Sequence, residues 1–221
     1  NCHYATSYGQ LLNTACENGH IEVLEFICNI APQKLEISHL SAACYFGHLE
    51  VVKFLVQKGF NPCLWEDRVR TPVLCAVMSG SFRVLKYLHS EGFDVIGPFG
   101  GNLSLAEAAK HGYLDVTNFL IRNGANVNTQ DADGNTPLSA ACRFGQLKMI
   151  KFLIAKGADY SDSALLLNAI TSKNEATVKY LLEHLHFQFP TESEERNKYF
   201  KQHLESIMIS LIHSTQRRTI C

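Results

Sequence analysis

Four segments of the chain spell nearly the same phrase: Gly47-His-Leu-Glu-Val-Val-Lys-Phe-Leu, Gly80-Ser-Phe-Arg-Val-Leu-Lys-Tyr-Leu, Gly112-Tyr-Leu-Asp-Val-Thr-Asn-Phe-Leu and Gly145-Gln-Leu-Lys-Met-Ile-Lys-Phe-Leu. A further copy starts at Gly19-His-Ile-Glu-Val-Leu-Glu-Phe-Ile, and a sixth, lacking the glycine, runs from Lys173 through Val178, Lys179, Tyr180, Leu181 and Leu182. Successive anchor positions lie 28, 33, 32, 33 and 28 residues apart. A period near 33 residues confines the chain to a stack of small helical units, because one such unit cannot bury its own apolar face and must lean on its neighbours.

The fifth unit carries most of the pattern: Asp131-Ala-Asp-Gly-Asn-Thr-Pro-Leu-Ser-Ala-Ala-Cys-Arg-Phe-Gly, then Lys148-Met-Ile-Lys-Phe-Leu-Ile-Ala-Lys-Gly-Ala-Asp. In these positions the chain resembles the ankyrin-repeat family, over roughly residues 8 to 190. The resemblance implies an all-α fold, an α-solenoid of helix pairs with short β-hairpin fingers at the inner junctions. The family's Thr-Pro is kept at Thr71-Pro72 and Thr136-Pro137, while the slot of its histidine holds Asn13, Ser41, Leu74, Ala106, Ser139 and Leu167. The expected layout is an N-terminal extension at 1–9, a solenoid at 10–190 with repeats near 10–36, 37–66, 67–99, 100–132, 133–161 and 162–190, and a C-terminal capping helix and tail at 191–221.

Local physics predicts the same helix pairs. Thr136 is a good N-cap, its hydroxyl able to accept an orphan backbone N–H, and Pro137 sits where a missing N–H costs nothing. Gly145 can end that first helix, and Gly157 the second, as Gly59, Gly92 and Gly124 can in their own units. Leu147, Ile150, Phe152, Leu153 and Ile154 give the second helix a wide apolar face. Glu22, Glu50 and Asp115 fall where a helix dipole favours negative charge. Gly100-Gly101 reads as a turn. Beyond the sixth unit, Thr191-Glu-Ser-Glu reads as a capping box. Tyr199, Phe200, Leu204, Ile207, Met208, Leu211 and Ile212 follow helical spacing after it, as a lid over the end of the stack would.

Composition fits a folded chain: 46% hydrophobic, 19% charged, with apolar runs far short of a membrane span. The repeats argue for one continuous, elongated domain, and an opening residue of Asn1 in place of methionine reads as a segment of something longer. Twenty basic residues against 21 acidic ones give no electrostatic reason to expect nucleic acid or an anionic membrane as partner. Of eight cysteines, Cys16, Cys44 and Cys142 share one slot beside a small alanine, as spacers between close helices. Their spacing forms no paired knuckles, so no structural zinc is expected. Unpaired thiols used as small hydrophobes point to an intracellular location, cytoplasmic or nuclear.

The chain offers little chemistry. Cys2 and His3 are adjacent and point apart, and His184 with His186 lacks a third ligand. No phosphate loop, dinucleotide fingerprint, zinc-protease helix or nucleophile elbow is present. The expectation is a non-enzyme without cofactor or metal. His20 and His48 follow the anchor glycine, where the family commonly carries a structural histidine. The resemblance also aligns Asn128 with the position asparaginyl hydroxylases modify in the family, against a plainer reading in which it bonds within its turn.

Junction lengths indicate where a partner would dock. From helix end to next helix start the count is 12 at Gly59 to Thr71, 11 at Gly92 to Leu103 and 12 at Gly124 to Thr136, but 7 at Ala31 to Ser38 and at Gly157 to Ala164. Only the inner three can project fingers. The resemblance implies contacts from finger tips and first helices: Trp65, Asp67, Arg68 and Arg70 on the first finger, Phe99 and Asn102 on the second, Ala132, Asp133 and Asn135 on the third. On the first helices they are Tyr45, Phe46, Met78, Lys110, His111, Arg143 and Phe144. Aromatic and Arg side chains dominate interface hot spots. The sequence therefore reads as a protein-binding module, monomeric on its own, holding a protein or peptide between the Trp65 and Asn135 fingers. A recruiting arm of a larger enzyme and a rigid spacer are the other two readings.

Overall fold

The computed structural model describes residues 2–30, 35–63, 71–96, 100–131, 133–162 and 164–184. Among them are six helix pairs and no strand: α1 (Cys2–Asn18) with α2 (Ile21–Ile30), α3 (Ile37–Phe46) with α4 (Leu49–Gln57), α5 (Pro72–Met78) with α6 (Phe82–Ser90), α7 (Gly100–His111) with α8 (Leu114–Arg122), α9 (Pro137–Arg143) with α10 (Leu147–Ala155), and α11 (Ala164–Thr171) with α12 (Glu175–His184). The described residues fall in two compact units, one formed by those up to Ala108 and by Tyr113–Asn126, the other by Ala109–Gly112 and those from Val127. In the first, α3 packs on α1, α4 and α5, and α6 packs on α4, α5 and α8. In the second, α9 packs on α10 and α11, and α12 on α10 and α11. The sequence-predicted lid at 191–221 lies outside the described residues.

Helix starts follow the capping chemistry. The Thr71 and Thr136 hydroxyls accept the N–H groups of Leu74 and Ser139, both at 3.1 Å, with Pro72 and Pro137 as first helical residues. The second repeat, which lacks Thr-Pro, caps itself differently. His39, standing in the proline slot, accepts the Glu36 N–H on Nδ1 at 2.9 Å, so α3 starts at Ile37, ahead of the expected Ser38. Gly100 and Gly101 belong to α7, not to a turn, which moves that helix start ahead of the expected Leu103. The acidic residues Glu22, Glu50 and Asp115 occupy first turns as their charge favours. Cys16, Cys44 and Cys142 are fully buried beside Ala15, Ala43 and Ala141.

The repeats are locked through the anchor glycines. All five have φ between 66° and 76°, and the side chain one residue past the next anchor lies across each. A Cβ on Gly19 would meet the His48 ring at 2.5 Å, on Gly47 the Ser81 hydroxyl at 2.9 Å, on Gly80 the Tyr113 ring at 2.9 Å, on Gly112 the Gln146 amide at 2.6 Å, and on Gly145 Asn174 at 2.8 Å. Three of these side chains also donate to carbonyls of the preceding repeat, near the end of its first helix. His48 Nε2 lies 2.7 Å from the Glu17 carbonyl, and since a carbonyl only accepts, that nitrogen carries the proton. Gln146 Nε2 donates to the Lys110 carbonyl at 3.1 Å and Asn174 Nδ2 to the Gly145 carbonyl at 3.0 Å.

The sixth unit departs from the pattern at two places that cost stability. Lys173 stands in the anchor slot at φ +55°, left-handed backbone that a side chain resists. Thr177 fills a slot held by Val51, Val84 and Val116, and its fully buried hydroxyl has no hydrogen-bond partner.

Replacing Thr177 by Val should raise stability by about 1 kcal/mol, since it removes a stranded polar atom at constant shape. Gly80→Ala should cost about 2–3 kcal/mol, from left-handed strain plus the clash with Tyr113, whereas Gly59→Ala, with φ +94° and nothing within 4 Å of its Cβ, should cost only about 1 kcal/mol. Urea unfolding of the three variants checks the order. Equal losses for the two glycines would remove the Tyr113 contact from the explanation.

Candidate functional site

The candidate contact positions sit where each first helix ends, one and two residues before the anchor. In the first unit these are Tyr45 and Phe46 on α3, 45% and 53% exposed, their rings meeting edge to face with centroids 5.3 Å apart. Met78 at the end of α5 is half-buried and packs on the core. The next residue, Ser79, turns its hydroxyl inward to the Ala76 carbonyl at 3.3 Å and the Ser81 hydroxyl at 2.8 Å. In the second unit, Lys110 is half-buried and holds its ammonium 5.5 Å from the centroid of Phe144, itself 51% exposed. His111 and Arg143 are exposed beside them. The rings of Phe46 and Phe144 are therefore not folded into their own repeats. Each keeps half its surface open.

The finger residues divide differently. Trp65, Asp67, Arg68, Arg70, Phe99 and Ala132 lie outside the described residues, as does the side chain of Asn102. The third junction forms a hairpin tip without a strand ladder. Asp131 N–H donates to the Asn135 carbonyl at 3.0 Å and Gly134 N–H to the Asp131 carbonyl at 3.0 Å, with Gly134 at φ +79°. This is the three-residue hairpin loop with glycine in its left-handed place. Asp131 organises it: Oδ1 accepts the N–H of Asp133 at 3.0 Å and of Asn135 at 2.8 Å, and both carboxylate oxygens accept the Asn135 amide, at 3.2 and 3.1 Å. Asn135 thus holds the turn, and Asp133 is the exposed member at the tip. Asp131 was missing from the sequence-derived set. The signal for it was an aspartate opening a turn whose third following residue is glycine.

A second series of contacts runs through the residue four past Gly59 and Gly124. Cys63 Sγ donates to the Asp94 carbonyl at 3.4 Å. Asn128 does more: Oδ1 accepts the Asp159 N–H at 2.7 Å and Nδ2 donates to the Gly157 carbonyl at 3.2 Å. Its amide bridges two repeats of the second unit. The exit turns repeat as well, Asn61, Asp94 and Asp159 each accepting the N–H two residues on, at 2.9 Å. At Asp159 this holds the carboxyl below its ordinary range.

Thiol chemistry is suppressed. Burial pushes Cys16 and Cys142 up to about 12 from the ordinary 9.0, and Cys44 well above it. Cys63 is raised by burial and by the Asp94 charge. None of the described cysteines Cys16, Cys28, Cys44, Cys63, Cys75 and Cys142 is in a disulfide. Among the described residues, no three His, Cys, Asp or Glu side chains come together as a metal set, and no helix is long and apolar enough to cross a membrane. Cys2 and His3 both lie on α1.

Two models of ankyrin repeats match the sequence, one of three copies over residues 105–191 and one of many copies over residues 40–89. The ankyrin repeat domain of human ASB11 shares the fold with a TM-score of 0.70 over 83% of this chain and 87% of that one, at 21% identity. No curated protein matches the chain. With the helix pairs, the anchor glycines and the hairpin tip, the matches place the chain in the ankyrin-repeat family, whose members are in general protein-protein interaction modules.

The raised thiols give a sign to the alkaline limb of stability. Between pH 9.0 and about 12 the unfolded chain releases protons that folded Cys16 and Cys142 retain, so stability should fall as pH rises through that window. Urea midpoints measured from about pH 8 to about pH 11 should decline, less steeply in Cys16→Ala/Cys142→Ala. An identical slope in that variant would exclude the two thiols as its cause.

Proposed function

We propose that the chain is a non-catalytic docking module for a protein or peptide, held through the first-helix ends of each unit and the finger tips. The observation that carries this reading is the pair of equivalent positions, Phe46 and Phe144, kept about half open where a folded chain normally hides a ring. Tyr45 and Met78 extend the apolar surface in the first unit. Lys110, His111, Arg143 and Asp133 frame the ring with charge in the second. Desolvating rigid aromatic rings supplies affinity at small entropic cost, and guanidinium and ammonium groups at the rim supply direction. From the sequence, Trp65, Arg68, Arg70 and Phe99 are further candidate contacts, with Asp67 and Asn102 as polar ones. The buried thiols, none of them in a disulfide among the described residues, support a reducing compartment for this activity.

Affinity capture with quantitative mass spectrometry, comparing the protein with a Phe46→Ala/Phe144→Ala variant, tests the proposal. Each substitution should change stability by less than about 1 kcal/mol, because the rings are half exposed. Capture of a specific protein should fall at least about tenfold if each ring contributes on the order of 1 kcal/mol or more. Unchanged recovery by a folded double variant would remove this surface from the interaction.

A further inference from the structure

Three turns of the second unit are drawn together by two clamps. Gln146 lies across Gly112 and donates to the Lys110 carbonyl at 3.1 Å, which brings the end of α7 to the turn between α9 and α10. Asn174 lies across Gly145 and donates to its carbonyl at 3.0 Å, which brings the turn between α11 and α12 to the same place. The side chains that arrive there are rich in cations: Lys110 and His111 from the end of α7, Arg143 and Lys148 from either side of the middle turn, and Lys173 from the third. All but the half-buried Lys110 are exposed. Phe144 follows Arg143 with half its surface open and the Lys110 ammonium 5.5 Å from its centroid.

Two of these cations occupy positions that the fold alone would fill otherwise. Lys148 lies in the first turn of α10, three residues past the anchor, where Glu22, Glu50 and Asp115 stand in their own second helices because the dipole favours an acid. Lys173 holds φ +55° in the slot that is glycine in the five preceding repeats. A glutamate at the one and a glycine at the other would each stabilise the stack. Charge kept where it costs stability marks a surface shaped for function. Arg83 takes the slot of Lys148 in the first unit, but the helix end before it carries Met78, packed on the core, and Ser79, turned inward. No exposed ring ends that helix.

The acids nearest in these helices are Glu107, one turn before the Lys110–His111 pair, and Glu175, in the first turn of α12. Asp131 and Asp133 belong to the hairpin tip, at the other end of α9 from Arg143. Those tip carboxylates and a net charge of −1 disfavour the continuous phosphate backbone of a nucleic acid, whereas a short acidic segment fits the cations alone.

We infer that this cluster takes an acidic segment of a partner protein, in which Asp or Glu residues flank an apolar side chain. The apolar side chain covers Phe144, and the carboxylates pair with Arg143, Lys148 and Lys173, the guanidinium in bidentate fashion. The inference rests on the docking role proposed for Phe144 and gives its partner a chemical class.

The probe is a phage-displayed library of random peptides selected on the full chain, the tightest peptide then being titrated by fluorescence anisotropy. Selected sequences should be rich in Asp and Glu around an apolar residue. Their affinity should fall at least about tenfold in Lys148→Glu/Lys173→Gly and in Phe144→Ala. The thermal midpoint of Lys148→Glu/Lys173→Gly should rise, the opposite of what a purely structural role for the two lysines would give. Peptides that need Phe144 but carry no excess of acids overturn the inference and leave the docking role standing. Acid-rich peptides untouched by the lysine changes do the same, as does a lowered midpoint. An oligodeoxythymidine that displaces the peptide at equal concentration also overturns it, in favour of a nucleic acid. No selected peptide, or peptides indifferent to Phe144→Ala, would remove both the inference and the docking role of that ring.

Discussion

The fold depends on a side chain reaching backward across a residue that has none. Each helix pair ends its first helix with carbonyls that its own backbone cannot satisfy. At α1 and α7 the next unit supplies the missing donor from the residue after its anchor. The donor can approach because the anchor lacks a Cβ, and the anchor turns tightly because glycine accepts positive φ. One residue type thus solves a chain-reversal problem and a packing problem at once. The identity of the clamp is less constrained: His48, Ser81, Tyr113, Gln146 and Asn174 share a position and little chemistry. What they share is the ability to lie flat over a bare backbone.

The spacing of these glycines made the helix pairs legible in the sequence. Capping by Thr71 and Thr136 was legible too, because a hydroxyl followed by proline has one obvious use at a helix start. Where the pattern was broken, local chemistry that no repeat template encodes took over. His39 replaced the threonine cap with a ring nitrogen and drew α3 forward to Ile37. Gly100 and Gly101 joined α7 although two glycines in a row favour a turn, because the apolar face that follows, with Leu105, Ala108 and Ala109 fully buried, outweighs their propensity. The contact positions at first-helix ends were visible as a column in the repeat. Whether a ring there would stay open was not, since exposure depends on the neighbour's side chain. The hairpin tip shows the same limit: Asn135 reads as a contact residue in the sequence, and its amide also ties the turn to Asp131.

The two kinds of surface follow from one division of labour. Positions facing a neighbouring repeat are restricted to residues that pack or cap. Positions at the first-helix ends are released from that restriction, and the chain places Tyr45, Phe46, Arg143 and Phe144 there. An ankyrin chain can change its partner without changing its stack.

The last described repeat closes its first helix in another way. Thr171 Oγ1 donates to the Asn168 carbonyl at 2.7 Å and Ser172 Oγ to the Ala169 carbonyl at 2.6 Å, so α11 finds donors for carbonyls near its end inside its own repeat. The inner repeats that rely on a clamp must wait for a residue about thirty positions further on. During synthesis a first helix such as α1 or α7 therefore leaves the ribosome with an end that only later sequence can finish. At these places the stack matures in arrears, a newly made unit completing the one before it.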